Sequence, residues 1–297
     1  VVTNTPGPTA AQTIAGPAQG IYRGLPFAEY LSLDAVNSHL LNAFSRTPAH
    51  VLYELQHGGP ERTPSLDLGW LFHWFVLEPE RFGRDIVVTP NFGDKRLKAN
   101  KQKWIEFEAA HAGAQFIDSR RNDELIAMRD SLFAHPVAGP FFNGRGHNEV
   151  SILWDDTEHG LRCKARIDRV GFVNEWPIVG DLKSARDASR RAFERAIYNF
   201  GYYIQAVHYL SGLEAVVPIP EGNPFRRFIF FVVESEPPYL TACYELDDLA
   251  LNEGAIARNR YMRTYRQCIE TGEWPGYPAG IDYVSLPPWA FKAYIDD

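Results

Sequence analysis

An apolar run closes on an aspartate and a lysine two residues apart: Ile178-Val179-Gly180-Asp181-Leu182-Lys183. Strand side chains alternate faces, so Asp181 and Lys183 point the same way and Leu182 points into the core. A carboxylate there can hold a divalent cation, and an ammonium beside it can sit over developing negative charge. An ion pair on a strand rim is also ordinary surface, so the pair needs partners to mean more. His73 lies amid the apolar run Leu66 to Leu77. There it is either a packed imidazole bonded to backbone or a metal ligand presented from a buried helix. Further carboxylates stand at Glu149 and Asp168. Gln205 and Tyr209 are four apart and share a helix face.

The elements that must position these residues follow from periodicity. Residues 148–154 alternate in the strand manner, 155–160 read as a turn, 161–170 return, and 176–182 carry the Asp-x-Lys. Together they make a three-strand meander with loops of hairpin length. Asp187 to Leu210 reads as one helix following the third strand, with Arg186, Arg190 and Arg191 near its start. Arg166 sits two before Asp168, on the same strand face. These four arginines are candidate contacts to a nucleic-acid backbone. Phe225 to Val233 and Leu240 to Leu246 read as further strands, and Glu253 to Thr271 as a long charged helix.

Upstream, Ser32 or Asp34 could cap a helix with the face Val36, Leu40, Leu41 and Phe44. Thr47-Pro48 opens another, with proline in its first turn. Residues 117–135 form an amphipathic helix. The basic cluster Lys95, Arg96, Lys98, Lys101 and Lys103 is either a solvated helix face or a set of phosphate contacts. Trp70 and Trp74 are either core or stacking platforms for a splayed strand end.

The chain has 297 residues, 45% hydrophobic and 23% charged, as in a soluble globular protein. No run of about 18 apolar residues is present, so no transmembrane helix is expected. Three scattered cysteines without a CxxC argue against a cysteine zinc or iron–sulfur site and against a disulfide framework. They suit a reducing compartment. A net charge of −7 argues against wholesale coating of phosphate backbones but leaves room for a local basic groove. Residues 1–20 read as a flexible lead-in and 21–297 as one domain.

The order His73, Glu149, Asp168, Asp181-x-Lys183, Gln205-x-x-x-Tyr209 resembles the PD-(D/E)xK nuclease superfamily, in its RecB-like branch. Two tail features, Glu273-Trp274-Pro275 and Ser285-Leu286-Pro287-Pro288-Trp289-Ala290, are similar to the RecE-type exonucleases of the exonuclease VIII group. The resemblance runs from about Tyr22 to the C-terminus. It implies an α/β fold with a central mixed sheet built on the meander and flanked by helices. It implies that His73, Asp168, Asp181 and the backbone carbonyl of Leu182 hold the metal, with Lys183 as the catalytic lysine. Glu149 matches the upstream acidic position, and Gln205 and Tyr209 the motif that holds the DNA end or orients the ligands. Ser184 stands where threonine is common.

The cofactor so implied is Mg²⁺, with Mn²⁺ able to substitute. The activity is 5′→3′ digestion of linear double-stranded DNA that leaves 3′ single-stranded tails for recombination. The setting is a ring-shaped homo-oligomer in a bacterial or phage-infected cytoplasm, away from membranes, with a single-strand annealing recombinase as a possible partner. Two rivals share the fold: an endonuclease or repair nuclease of the superfamily, and a non-catalytic DNA-binding or recombinase-docking module. Cleavage of linear but not circular duplex separates the first, and the intact ligand set with Lys183 argues against the second.

Overall fold

In the computed structural model the described residues, 17–58, 64–94, 96–217 and 227–286, form eight strands and ten α-helices. The chain runs β1 (Gly20–Arg23), α1 (Phe27–Ser32), α2 (Ser38–Ala43), α3 (Pro48–His57) and α4 (Pro64–Leu77). Then come β2 (Ile86–Val88), α5 (Lys98–Ala110), β3 (Gln115–Ile117), α6 (Ser119–Ala134) and α7 (Ala138–Asn143). The meander follows as β4 (Gly146–Asp156), β5 (Leu161–Val173) and β6 (Trp176–Ala185). Last are α8 (Arg190–Asn199), α9 (Tyr202–Val216), β7 (Phe228–Glu234), β8 (Thr241–Glu245) and α10 (Asp248–Thr271).

The main sheet has six strands in the order β1-β4-β5-β6-β7-β8. All neighbours are antiparallel except β6 and β7, which are parallel and pair Asp181 with Phe230. A parallel return needs a crossover, and α8 and α9 supply it. The β5–β6 hairpin turns on Asn174 and Glu175, whose φ of +46° and +66° give the doubly left-handed two-residue loop that suits strand twist. Strand β7 is apolar on both faces because it is covered on both. Phe228, Phe230 and Val232 join Val179, Ile204 and Leu213 on one side, while Ile229, Phe231 and Val233 join Phe72, Leu125 and Phe141 on the other. The mixed sheet flanked by helices is the α/β architecture expected from the sequence.

Three local readings are corrected. The single helix expected over 187–210 breaks into α8 and α9 at Gly201, whose φ is +67°. That conformation suits glycine, and a Cβ there would meet Asn42 Oδ1 at 2.1 Å. Because β6 ends at Ala185 and α8 begins at Arg190, Arg186 lies in the loop between them, while Arg190 and Arg191 are helical. Neither Ser32 nor Asp34 caps α2. Val36 is drawn into a parallel bridge with Cys163, and the cap passes to Asn37, whose side chain accepts from Leu40 N at 2.8 Å. The lead-in's last residue, Gly20, begins β1 opposite Leu153, and Pro17 O accepts from Arg162 Nη2 at 2.6 Å. Residues 1–16, Lys95, Phe225, Arg226 and the closing Pro287-Pro288-Trp289-Ala290 lie outside the described residues.

The sheet tolerates no side chain where β6 crosses α7. A Cβ on Gly180 would approach the Phe141 ring to 2.5 Å, and that ring stacks on Phe231 at 4.6 Å between centroids. Gly180→Ala should therefore lower the unfolding free energy by about 1–3 kcal/mol through overpacking, read by denaturant titration. An unchanged midpoint would mean that the Phe141 ring yields freely.

Candidate active site

The site lies where β5 and β6 part. Their ladder ends at the pair Arg169–Gly180. One step further, Asp168 Oδ2 rather than a backbone carbonyl accepts from Leu182 N, at 2.7 Å. Strand β6 continues beside β7, so Asp181 and Lys183 project toward α8 and α9, as alternation predicts. Asp181 is 1% exposed, and its Oδ2 lies 2.6 Å from Lys183 Nζ. Burying that pair demands further partners, and Gln205 provides them. Its Nε2 donates to Asp181 Oδ1 at 2.8 Å, and its Oε1 accepts from Lys183 Nζ at 3.2 Å. Gln205 Nε2 also lies 3.1 Å from the Tyr209 hydroxyl, one turn along α9. The ring of Tyr202 lies 4.6 Å from the same ammonium. Spacing could have suggested Tyr202, three residues before Gln205, but the sequence reading did not single it out.

From the opposite side of the sheet, α4 presents His73. Its Nε2 lies 2.6 Å from the Leu182 carbonyl and 3.5 Å from Asp168 Oδ2. Glu149 completes the group: His73, Glu149 and Asp168 each offer a ligand atom, all within 4.8 Å of one another. Glu149 has φ +53°, a left-handed conformation uncommon for a residue with a Cβ. The strand reverses faces there. Val150, Ile152 and Trp154 pack in the core under α9, yet Asn148 donates to the Leu77 carbonyl of α4. Across the ladder, Ile167 packs under α9, while Arg169 donates to the Phe141 carbonyl on the other side. Both strands twist over at the level of the two acids, turning Glu149 and Asp168 toward His73.

The electrostatics favour a cation. Burial first, then the charge of Asp181, pushes Asp168 well above the usual carboxylate range. Burial and then Asp168 push Glu149 up to about 7, against the pull of Arg166. Burial depresses His73 by more than the acids raise it, so the imidazole is neutral and fit to ligate. Both shifts mean that protons compete for these acids, and a divalent ion would displace them. Two carboxylates, an imidazole and a carbonyl suit a hard cation that tolerates one nitrogen, Mg²⁺ or, better, Mn²⁺. Asp181 Oδ2 is buried without a hydrogen-bond partner, its ion pair with the Lys183 ammonium aside. Lys183 differs from its neighbours. Burial opposes its charge, but Asp181, Tyr202 and Asp168 outweigh burial and hold it above its ordinary value. It is an ammonium, suited to charge stabilisation rather than to accepting a proton.

Every side chain that the sequence placed at the centre therefore meets there: His73, Glu149, Asp168, Asp181, Lys183, Gln205 and Tyr209, with the Leu182 carbonyl. The arginines do not gather. Arg186 pairs with Glu236 and Arg190 with Glu194, all exposed, while Arg191 is exposed on α8. Arg166 is turned inward to Glu149. Trp70 packs edge-on against Phe27 and Trp74, and Arg81 lies 4.0 Å over the Trp74 ring.

The family model of a PDDEXK-like domain of unknown function (DUF3799) matches residues 38–287. The chain belongs to this family. Among solved structures, one from Eubacterium rectale named as a "putative exonuclease" is 10% identical. It superposes with a TM-score of 0.53, over 92% of this chain and 100% of the other. At that identity the likeness is one of fold. The structure of SSO0001 is 15% identical over 64% of this chain and 84% of its own, but its TM-score of 0.27 carries no weight. A search of the curated proteins finds no match. The family description and the fold are both PD-(D/E)xK-like, as the motif order implied.

Acids that bind protons more tightly in the folded than in the unfolded chain stabilise the fold at low pH and lose that contribution as pH rises. For Glu149 the window runs from its ordinary 4.5 to about 7. In EDTA, the unfolding free energy should fall across that window, and Glu149→Gln and Asp168→Asn should each flatten the fall. A stability that rises with pH there, or a slope that neither variant changes, would show that these acids are not in conflict.

Proposed function

We propose that the protein is a divalent-metal-dependent deoxyribonuclease that digests linear double-stranded DNA from its ends. The observation that supports this best is the joining of two groups across one parted strand pair. The Asp181–Lys183–Gln205 cluster faces one way, and the His73, Glu149 and Asp168 ligand atoms lie beside it. His73, Asp168, Asp181 and the Leu182 carbonyl would hold the ion, with Glu149 adjoining. When bound, such an ion lowers the pKa of a coordinated water and relieves charge on the phosphate. The rest is done by this chain's own groups. Lys183, held charged, faces the negative charge that builds on the phosphoryl oxygens. Gln205 fixes both Asp181 and Lys183, so neither must reorganise during reaction. Tyr209 and Tyr202 close the far side of that cluster.

The finer reading follows the motif resemblance. Digestion runs 5′→3′, leaves 3′ single-stranded tails for recombination, uses Mg²⁺ with Mn²⁺ as substitute, and is of RecE type. A homo-oligomeric ring would retain DNA by enclosure, which suits a chain of net charge −7. A cytoplasmic setting with a single-strand annealing recombinase as partner fits the same role. Among the described residues, no helix is long and apolar enough to cross a membrane. The name of the E. rectale structure is consistent with exonuclease chemistry.

Linear duplex labelled at either end, incubated with Mg²⁺ or EDTA, tests the proposal. Label should leave the 5′ ends first, only with Mg²⁺, and closed circular duplex should survive. Asp181→Asn and Lys183→Met should each lower the rate by about 100-fold or more while the far-UV spectrum is kept. Cleavage of closed circles would favour the endonuclease reading, and wild-type digestion by Asp181→Asn would remove the site assignment.

A further inference from the structure

Arg166 is a poor candidate to meet a phosphate backbone, because its side chain is only 10% exposed. Its Nε donates to Glu149 Oε2. Its Nη1 donates to the Leu25 carbonyl at 2.8 Å and lies 3.2 Å from Ser151 Oγ. The guanidinium lies 5.5 Å from the Phe27 ring and 5.9 Å from the Tyr30 ring. Leu25, Phe27 and Tyr30 belong to the segment that carries β1 and α1. That segment is tied down at two places. Strand β1 pairs with β4, and buried Lys164 donates to the carbonyls of Tyr30, Leu31 and Leu33 at 3.0, 3.2 and 2.7 Å. All of these upstream residues precede the span 38–287 matched by the family model.

The partner held by this clamp is a strained one. Glu149 sits at φ +53°, where the strand turns over, and a strained side chain keeps its aim only if its surroundings fix it. A carboxylate has two oxygens, so pairing one with Arg166 leaves the other for a cation. Arginine suits the task because its rigid planar fork holds a carboxylate, a carbonyl and a hydroxyl in fixed directions, whereas a lysine offers one freely rotating ammonium.

We infer that Arg166 is a positioning residue: clamped by the segment ahead of the family domain, it aims Glu149 at the cation site beside His73 and Asp168. This rests on the metal-site reading above. It also makes the β1–α1 segment part of the working site.

The test is a double-mutant cycle on the full chain, with Mn²⁺ affinity measured by electron paramagnetic resonance. Arg166→Gln should weaken Mn²⁺ binding about 10-fold or more. In the Glu149→Gln background the same change should alter it less than about 2-fold, because the group it acts through is gone. Arg166→Lys, which keeps the charge and guards against a folding defect, should fall between. Equal losses in both backgrounds would overturn the inference. So would unchanged Mn²⁺ affinity with weaker DNA binding and a salt slope reduced by about one, the mark of a phosphate contact. A wild-type chain that binds no Mn²⁺ would overturn the metal-site reading as well. Binding and cutting without coupling would remove only the role of Arg166.

Discussion

The structure depends on how it compensates acids buried together at one strand end. Asp181 is almost wholly enclosed, and Asp168 and Glu149 face each other with little access to water. Like charges so placed cannot all ionise without partners. Asp181 is matched by Lys183 and Gln205, so that half of the site is complete in the folded chain. Asp168 has one backbone N–H and Glu149 has Arg166, but both are still shifted upward, toward the protonated form. The neutral imidazole of His73 lies against them. With Glu149 matched by Arg166, the unbalanced half is left with the uncompensated carboxyl of Asp168 beside a neutral imidazole, and it adjoins the half that holds a fixed ammonium. That asymmetry distinguishes this cluster from a structural ion-pair network.

The scaffold serves this arrangement by interrupting its own regularity. Strands β5 and β6 stop pairing one residue before the acids, and the Asp168 carboxylate takes the place of a backbone acceptor. Strand β4 turns over at Glu149. The crossover helix breaks at Gly201, which sets α9 on its own course along the sheet and brings Gln205 and Tyr209 above Asp181. Elsewhere the sheet is ordinary, with β7 buried on both faces and one apolar core on each side. Departures from local rules gathered at one place are what a functional site is expected to show.

Much of this was legible in the sequence. Alternation placed Asp181 and Lys183 on one face, the helical repeat placed Gln205 beside Tyr209, and turn residues at 155–160 bounded the meander. What escaped depends on contacts distant in sequence. The 187–210 stretch reads as one helix because aromatics recur on both sides of Gly201; the left-handed backbone of Gly201, packed against Asn42, makes the break. Asn37 took the cap from Ser32 and Asp34 because Val36 is held by Cys163, more than a hundred residues away. Gly20 is a strand residue only because Leu153 lies opposite. The short strands β2 and β3 have three residues each, too few for a periodic signal. Arg166 could be placed on the face of Asp168 by counting, but counting could not show Glu149 across the ladder.

The central claim is that these side chains gather one divalent cation. The most direct measurement is anomalous diffraction from crystals grown with Mn²⁺ and the full chain. The account predicts an anomalous peak in contact with His73 Nε2, Asp168, Asp181 and the Leu182 carbonyl, with Glu149 adjoining. Well-ordered crystals with no peak there, and His73 still bonded to the Leu182 carbonyl, would contradict it.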